Sequence, residues 1–252
     1  MNQWDERYNK AEYHYGTAPN DFLHAHAERL LSGLRIKDGE APHILCLADG
    51  EGRNSVFLAE LGAHVTAVDI SQVGLDKAQR LAAERGVKLQ TQLADLSESV
   101  LPDAQYDGVV MIFCHLPSAQ RPHLYQQIIK ALKPGGWLLV ECYTEAQLGR
   151  GTGGPPSADL MLNLSELKDA FRGFHIEHSE HLVRNIVEGP GHQGEGAVCQ
   201  YIGVKAQTRD SIYQVSSTRS KASRRVRYVE SSAPAVGECK FCLGSLADKD
   251  ES

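Results

Sequence analysis

Two glycines at positions 50 and 52 lie just beyond a short apolar segment, residues 43–48. Glycine has no Cβ, so such a loop lets the backbone approach a ligand at the end of a buried strand, although a plain tight turn needs the same residues. Asp69 ends the next apolar segment, where a carboxylate can accept hydrogen bonds from both hydroxyls of a ribose. These motifs indicate a nucleoside-containing cofactor. The alternative role for Asp69 is an N-cap for the helix after Ser71.

The residue at position 55 distinguishes a dinucleotide-binding motif from other cofactor sites. Ser55 stands where the dinucleotide motif G-x-G-x-x-G has its last glycine, so helix and pyrophosphate would not approach as closely. A further acidic residue, Asp95, follows the third apolar segment, where a carboxylate can accept a hydrogen bond from the exocyclic amine of adenine. The pattern therefore favours an adenosine cofactor other than NAD, with a nicotinamide-dependent oxidoreductase as the alternative enzyme.

The elements that position these residues follow from hydrophobic periodicity. Apolar, β-branched segments alternate with amphipathic segments, which predicts an α/β fold with a doubly wound, mostly parallel sheet. The predicted strands are residues 43–48, 63–69, 88–94, 106–114 and 136–142, followed by a closing hairpin of 174–180 and 197–205 joined through a glycine-rich loop at 189–196. The predicted helices are residues 53–61, 73–85, 121–132 and 164–174.

Composition sets limits on the function. The chain has 252 residues with 26 Lys+Arg against 32 Asp+Glu, a formal charge of −6, which disfavours nucleic-acid binding through a basic field. The N-terminus lacks a signal-peptide pattern and no apolar run is long enough to span a membrane, so we expect a cytoplasmic protein. Residues 1–205 form the predicted domain and 206–252 a disordered tail. The tail holds Cys239 and Cys242, too few ligands for a metal site.

Taken together, the motifs resemble those of class I S-adenosylmethionine-dependent methyltransferases over about residues 4–205. The resemblance implies a seven-stranded sheet with an antiparallel closing strand and S-adenosylmethionine as cofactor. It also places Asp69 on the ribose and Asp95 near the adenine. The family's first motif usually has an acidic residue, then Gly and Cys, where this chain has Cys46, Ala48 and Asp49. The implied cofactor-binding residues are Arg7, Asp49, Gly50, Gly52, Arg53, Asp69, Ile70, Asp95 and Leu96.

Within that class the chain looks most like the small-molecule branch typified by tellurite-resistance and thiopurine methyltransferases. The shared segments are residues 4–8, 15–20, 50–55 and 188–192. The resemblance implies a small acceptor, a soft S, Se or Te atom or another small nucleophile, rather than a nucleic acid or a protein. His192 corresponds to an acceptor-site histidine of the tellurite branch, but Gln193 replaces the arginine that follows it there.

A second histidine and a glycine-rich loop complete the acceptor-side predictions. His115 follows the fourth predicted strand and is the other candidate acid/base; a histidine titrates near neutral pH, which suits a general base. Residues 148–162 are either a lid over the acceptor or a plain linker. The departures at residues 46, 48 and 49 leave a non-enzymatic cofactor-binding protein with a degenerate fold as a further alternative.

Overall fold

The structure is a computed structural model that describes residues 2–34, 39–207, 213–216 and 227–230. The chain divides into two units, Met1–Ala206 and Gln207–Ser252. The first unit holds a seven-stranded sheet and every residue predicted to take part in chemistry. None of the helices within the described ranges combines the length and apolar content that crossing a membrane requires.

The strands of the first unit run in the spatial order β3-β2-β1-β4-β5-β7-β6. β1 to β5 are parallel to one another, and β7 runs antiparallel to both β5 and β6. This arrangement confirms the predicted doubly wound sheet with an antiparallel closing strand. The strands are β1 His43–Leu47, β2 His64–Asp69, β3 Gln90–Leu93, β4 Tyr106–Ile112, β5 Leu132–Tyr143, β6 Phe174–Glu188 and β7 His192–Lys205.

Helices cover both faces of the sheet. In the central strands successive side chains enter opposite hydrophobic clusters: Ile44 and Cys46 pack on one face, and Leu45 and Leu47 on the other. Both faces of β1 are therefore buried, as parallel strands between two helix layers require. The helices are α1 Gln3–Tyr8, α2 Asp21–Ser32, α3 Arg53–Glu60, α4 Gln72–Glu84, α5 Arg121–Ala131 and α6 Leu164–Ala170.

Two helices near the N-terminus were not among the predictions. Asn2 caps α1 by accepting from the amides of Trp4 and Asp5, and the Asp5 side chain accepts from the Asn2 amide in return. Asn20 caps α2 by accepting from the Leu23 amide. An asparagine before a helix satisfies amides that lack an intrahelical partner. These caps are the sequence signal that could have located both helices.

The closing hairpin is longer than predicted, and the prediction of a glycine-rich loop at residues 189–196 is wrong. Glu188 and His192 already face each other as a strand pair, so the turn contains only residues 189–191. Gly196 lies inside β7, where an added Cβ would collide with the Ile186 side chain and lie 3.1 Å from Tyr143. Glycine is present here because two neighbouring side chains occupy that space, and not because the chain turns.

In the second unit, β8 Tyr213–Ser216 pairs antiparallel with β9 Arg227–Glu230. The sequence analysis predicted a disordered tail at residues 206–252 and did not include this strand pair. The boundary near residue 205 and the character of the tail stay predictions. Cys239 and Cys242 lie outside the described residues. The predicted buried thiols of the first unit, Cys46, Cys114, Cys142 and Cys199, are free and buried.

Candidate active site

A cavity of about 660 Å³ opens at the carboxyl ends of the parallel strands. Open α/β sheets bind ligands at this edge because the loops that leave the strands meet there. Its walls come from the loops after β1, β2, β3 and β4, from α1 and the segment after it, and from the loop before α6. Of the predicted cofactor-binding residues, Arg7, Asp49, Arg53, Asp69, Ile70, Asp95 and Leu96 line this cavity.

The glycine loop between β1 and α3 is packed against the protein itself. Gly50 and Gly52 have positive φ angles of 62° and 92°. A Cβ on Gly50 would lie 2.7 Å from the Tyr8 hydroxyl oxygen, and one on Gly52 would lie 2.6 Å from the Cα of Ala78. Neither glycine is among the residues that line the cavity. Both shape the loop so that the side chains between and beside them reach the cavity.

Ala48 and Asp49 occupy the positions at which the sequence departs from the family pattern. Ala48 has a φ of 51°, the left-handed conformation that favours glycine, so its Cβ adds strain of roughly 1–2 kcal/mol. Asp49 is buried and accepts hydrogen bonds from the side chain and the amide of Ser55. Burial, and then the nearby Asp69 carboxylate, raise the pKa of Asp49 to about 7. A carboxyl group at the cavity wall is thus poised to titrate near neutral pH.

Asp69 links the ends of the first two strands. One carboxylate oxygen accepts from the Gly50 amide at 2.8 Å, and the other from the Ser71 amide at 2.8 Å. The N-cap of α4 is Ser71, whose hydroxyl accepts from the Gly74 amide, so the alternative role of Asp69 as the cap is wrong. Each oxygen of Asp69 keeps a second lone pair, and burial raises the pKa of this carboxyl group.

Asp95 lies farther along the same edge, after β3. Its side chain is exposed and accepts from the amide and hydroxyl of Ser97, at 2.8 and 2.7 Å. Leu96 is buried beside it, whereas Ile70 is 39% exposed after β2. Asp69 and Asp95 therefore lie at neighbouring strand ends, the arrangement that the motif spacing predicted.

The N-terminal segment forms one wall of the cavity and is held by a pair that sequence reasoning missed. Glu51 accepts from the amides of His14 and Tyr15, at 2.7 and 3.3 Å, and pairs with the Lys77 ammonium group. Lys77 also donates to the carbonyl oxygens of Tyr8, Lys10 and Glu12. Both side chains are 2% exposed. In the sequence, the one signal for this ion pair was a charged residue, Glu51, between two glycines.

Arg7 projects from this wall toward the cavity. Its guanidinium group donates to the Tyr15 hydroxyl at 2.9 Å and lies 4.6 Å from the centre of the Trp4 ring. The segment therefore brings a cation and several aromatic rings to the cavity mouth.

At the other end of the cavity, His192 lies within a group of aromatic rings. Its ring centre is 4.5 Å from that of Tyr15, 4.4 Å from that of Phe113 and 5.4 Å from that of Tyr143. His192 is buried at the start of β7 rather than exposed in a loop. Burial, followed by the charge of Arg53, lowers the pKa of His192 to about 2. The ring is therefore neutral near pH 7, and the ordinary histidine pKa does not apply.

His115 lies near His192 and is also neutral. Its Nδ1 is 3.1 Å from the Leu160 carbonyl oxygen and 3.5 Å from the Cys142 sulfur. Among the described residues, Nε2 is buried without a hydrogen-bond partner. Burial lowers the pKa of His115 to about 4. With Nδ1 donating to the carbonyl, Nε2 has the lone pair that can accept a hydrogen bond or a proton.

The glycine-rich loop at residues 148–162 forms part of the cavity wall through residues 153–156 and Leu160. The Gln147 side chain donates to the Thr152 hydroxyl and the Gly153 carbonyl oxygen, and Thr152 donates to the Glu195 carbonyl oxygen at 2.6 Å. At the far end, Arg121 donates to the Asp159 carbonyl oxygen at 2.7 Å. The loop is therefore anchored at both ends where it borders the cavity.

Comparisons with known proteins agree with this geometry. Residues 44–136 match the model of a family described as a methyltransferase domain. A sterol 24-C-methyltransferase of Gibberella zeae is 26% identical over 198 residues, which cover 71% of this chain and 51% of that protein. The cypemycin N-terminal methyltransferase of a Streptomyces species is 30% identical over 150 residues, covering 55% of this chain and 59% of that protein. The chain spans about half the length of the curated relatives it matches.

Solved structures share the fold at low identity. A protein studied for the conversion of a disulfide bond into a thioacetal group in echinomycin biosynthesis superposes with a TM-score of 0.63 at 17% identity, covering 82% of this chain and 90% of its own. TehB from Haemophilus influenzae superposes with a TM-score of 0.58 at 17% identity, covering 80% and 65%.

Family match and fold agree on one class: residues 44–136 match the model of a methyltransferase domain, and the seven-stranded sheet has the class I S-adenosylmethionine-dependent methyltransferase fold. The predicted family, fold and cofactor class are confirmed at this level, and the match disfavours the nicotinamide oxidoreductase.

Proposed function

We propose that the chain transfers a methyl group from S-adenosylmethionine to a small-molecule acceptor, with a soft S, Se or Te atom or another small nucleophile as the attacking atom. The observation that supports this most is that two kinds of side chain line one cavity. The carboxylates Asp69 and Asp95 stand at the ends of β2 and β3, which we call the polar end, whereas the neutral rings of His115 and His192 lie with aromatic rings after β4 and at the start of β7. Arg7 and Arg53 lie beside these rings, since Arg7 donates to the Tyr15 hydroxyl and the charge of Arg53 lowers the pKa of His192. Such a lining suits a polar cofactor beside a less polar acceptor.

The residues at the polar end fit the cofactor. Asp69 keeps two lone pairs that would accept from the ribose hydroxyls, and Asp95, after the neighbouring strand, would accept from the adenine amine. The Arg53 guanidinium group is buried, and its Nη1 has no hydrogen-bond partner among the described residues, so an anionic group would satisfy it. S-adenosylmethionine supplies, when bound, a methyl group made electrophilic by its sulfonium.

The residues at the other end would hold the acceptor and exclude water. Aromatic rings at Tyr15 and Phe113, together with residues 153–156 of the anchored loop, line the cavity beside His115 and His192, and Tyr143 packs behind His192. Holding two reactants at attack distance lowers a barrier by several kcal/mol, which suffices for a thiol that ionises near neutral pH. An oxygen or nitrogen acceptor would in addition need one of the two histidines as general base.

The small size of the acceptor rests on enclosure. The N-terminal segment and the 148–162 loop form the walls of the cavity at this edge, and its volume of about 660 Å³ must hold the cofactor as well. The names of the curated relatives give different acceptors, a sterol and the N-terminus of cypemycin, and therefore support no single acceptor chemistry for this chain.

The test is transfer of an isotope-labelled methyl group from S-adenosylmethionine to a fractionated metabolite library. At a cofactor concentration near the wild-type dissociation constant, we expect label in a low-molecular-mass product, strongly reduced in Asp69→Asn and retained in Asp76→Asn, since Asp76 is an exposed carboxylate on α4. Binding of S-adenosylhomocysteine without transfer to any fraction would favour the non-enzymatic alternative. Label found only in protein or nucleic acid would refute the small acceptor.

A further inference from the structure

A buried polar network joins the cofactor end of the cavity to the hairpin that carries His192. Glu188, the last residue of β6, is 5% exposed and faces His192 across the turn. Glu188 Oε2 lies 2.6 Å from Nη2 of Arg53, at the start of α3. Glu188 Oε1 accepts from the Asn20 amide at 2.9 Å and from Arg184 Nη2 at 2.7 Å.

The network fixes Glu188 from several sides. Asn20 also donates to Glu141, which is fully buried on β5, and Arg184 donates to both oxygens of Glu141. Gln200 on β7 donates to Glu141 as well. Residues of β5, β6 and β7 and the N-cap of α2 therefore determine where the Glu188 carboxylate lies, so it provides a rigid partner for Arg53.

Arg53 uses only one edge of its guanidinium group in this pair. Nη2 faces Glu188, whereas Nη1 is buried with no hydrogen-bond partner within the described ranges, and Arg53 lines the cavity. A buried charged donor without a partner is costly, and guanidinium groups bind carboxylates with good geometry. The free edge therefore points to an anionic group of the ligand.

We propose that Glu188 is a positioning residue that holds Arg53 so that its Nη1 edge binds the carboxylate of the cofactor's amino-acid moiety. This inference rests on the proposed function. It assigns to the acceptor-side hairpin a part in cofactor recognition, through a residue that does not line the cavity. Glu188 would tie the position of the carboxylate-binding arginine to that of His192.

Two ligands that differ only in the carboxylate provide the test. Calorimetry would compare S-adenosylhomocysteine with its decarboxylated analogue, S-adenosyl-3-thiopropylamine, on the full chain. Hydrogen bonds to charged groups predict that the wild type prefers the carboxylate-bearing ligand by roughly 10-fold to 100-fold. In Glu188→Gln we expect this ratio to fall at least fivefold while the affinity for the decarboxylated analogue stays within about twofold.

The matched control is Glu177→Gln. Glu177 lies on β6, the same strand as Glu188, and its replacement also removes an ion pair with an arginine. Glu177 contacts Arg29 at 2.7 Å on the surface, away from the cavity. Its ratio should equal that of the wild type. A purely structural role for Glu188 would weaken both ligands alike, whereas a positioning role acts on the carboxylate alone.

A folding defect in Glu188→Gln would be recognised by its thermal unfolding. In that case Glu188→Asp replaces it as the test variant, because it keeps the buried charge but withdraws the carboxylate oxygens by one methylene. It should lower the preference for the carboxylate-bearing ligand in the same way. An unchanged or larger ratio in a folded variant overturns the proposal. A wild type that binds neither ligand refutes the proposed function instead, so the two failures are distinguishable.

Discussion

Replacing Asp69 by asparagine should weaken S-adenosylhomocysteine binding more than any other single change in the cofactor motifs. Both Asp69 oxygens already accept a backbone amide at 2.8 Å, and their remaining lone pairs are the proposed partners of the ribose hydroxyls. Asp69→Asn removes the charge and turns one acceptor into a donor. Hydrogen bonds to a charged group contribute about 1.5–3 kcal/mol, so the dissociation constant should rise by roughly 10-fold to 100-fold.

Isothermal titration calorimetry measures this directly, with Asp76→Asn as the control. Because the amide of Gly50 also depends on Asp69, the thermal unfolding of both variants must be recorded to confirm that the loop is intact. An affinity of Asp69→Asn within twofold of the wild type, in a folded protein, would refute the assignment of Asp69 to the ribose.

Three further predictions concern the cavity. The pKa of Asp49 is raised to about 7 in the native protein, so the native state holds a proton that the unfolded state releases. In denaturant titrations the wild type should therefore lose unfolding free energy, relative to Asp49→Asn, as the pH rises from about 5 through 7. An equal pH dependence of the two proteins would contradict the raised pKa. With an acceptor identified, His192→Ala should lower kcat/KM by about 100-fold or more if the ring is the base, without changing cofactor affinity, and the exposed His175→Ala is the control. For an acceptor that does not itself titrate in this range, the wild-type rate should not fall between pH 8 and 6, since the pKa of His192 is lowered to about 2; a fall with a midpoint near 6.5 would contradict that shift. Gly154→Ala should raise the KM for the acceptor, because the added Cβ would lie 3.1 Å from Gln147 and from Tyr143. Gly149→Ala is the control, since Gly149 also has a positive φ but an added Cβ there has no atom within 4 Å. Equal KM values for the two variants would show that the loop does not shape the acceptor end.

The sequence allowed prediction of those parts of the site that depend on local pattern. The end of β1, the loop with Gly50 and Gly52, and Asp69 at the end of β2 follow from strand periodicity and glycine placement. The parallel order of the sheet then brings Asp69 and Asp95 to one edge. Even so, the reason for the glycines differs from the expectation, because they approach Tyr8 and Ala78 rather than the cavity.

The remaining parts depend on contacts between distant positions, which periodicity does not encode. Glu51 with Lys77, and Arg53 with Glu188, pair residues from separate elements, and each residue alone resembles an ordinary surface charge. The pKa of His192 was mispredicted for the same reason: its burial results from rings contributed by three other segments.

The most direct test of the central claim is calorimetry of the wild-type chain with S-adenosylhomocysteine and, separately, with NAD. The account predicts saturable one-to-one binding of S-adenosylhomocysteine, abolished or greatly weakened in Asp69→Asn, and no measurable heat of binding with NAD at the same concentrations. Tighter binding of NAD, or the absence of binding by S-adenosylhomocysteine to a folded protein, would contradict it.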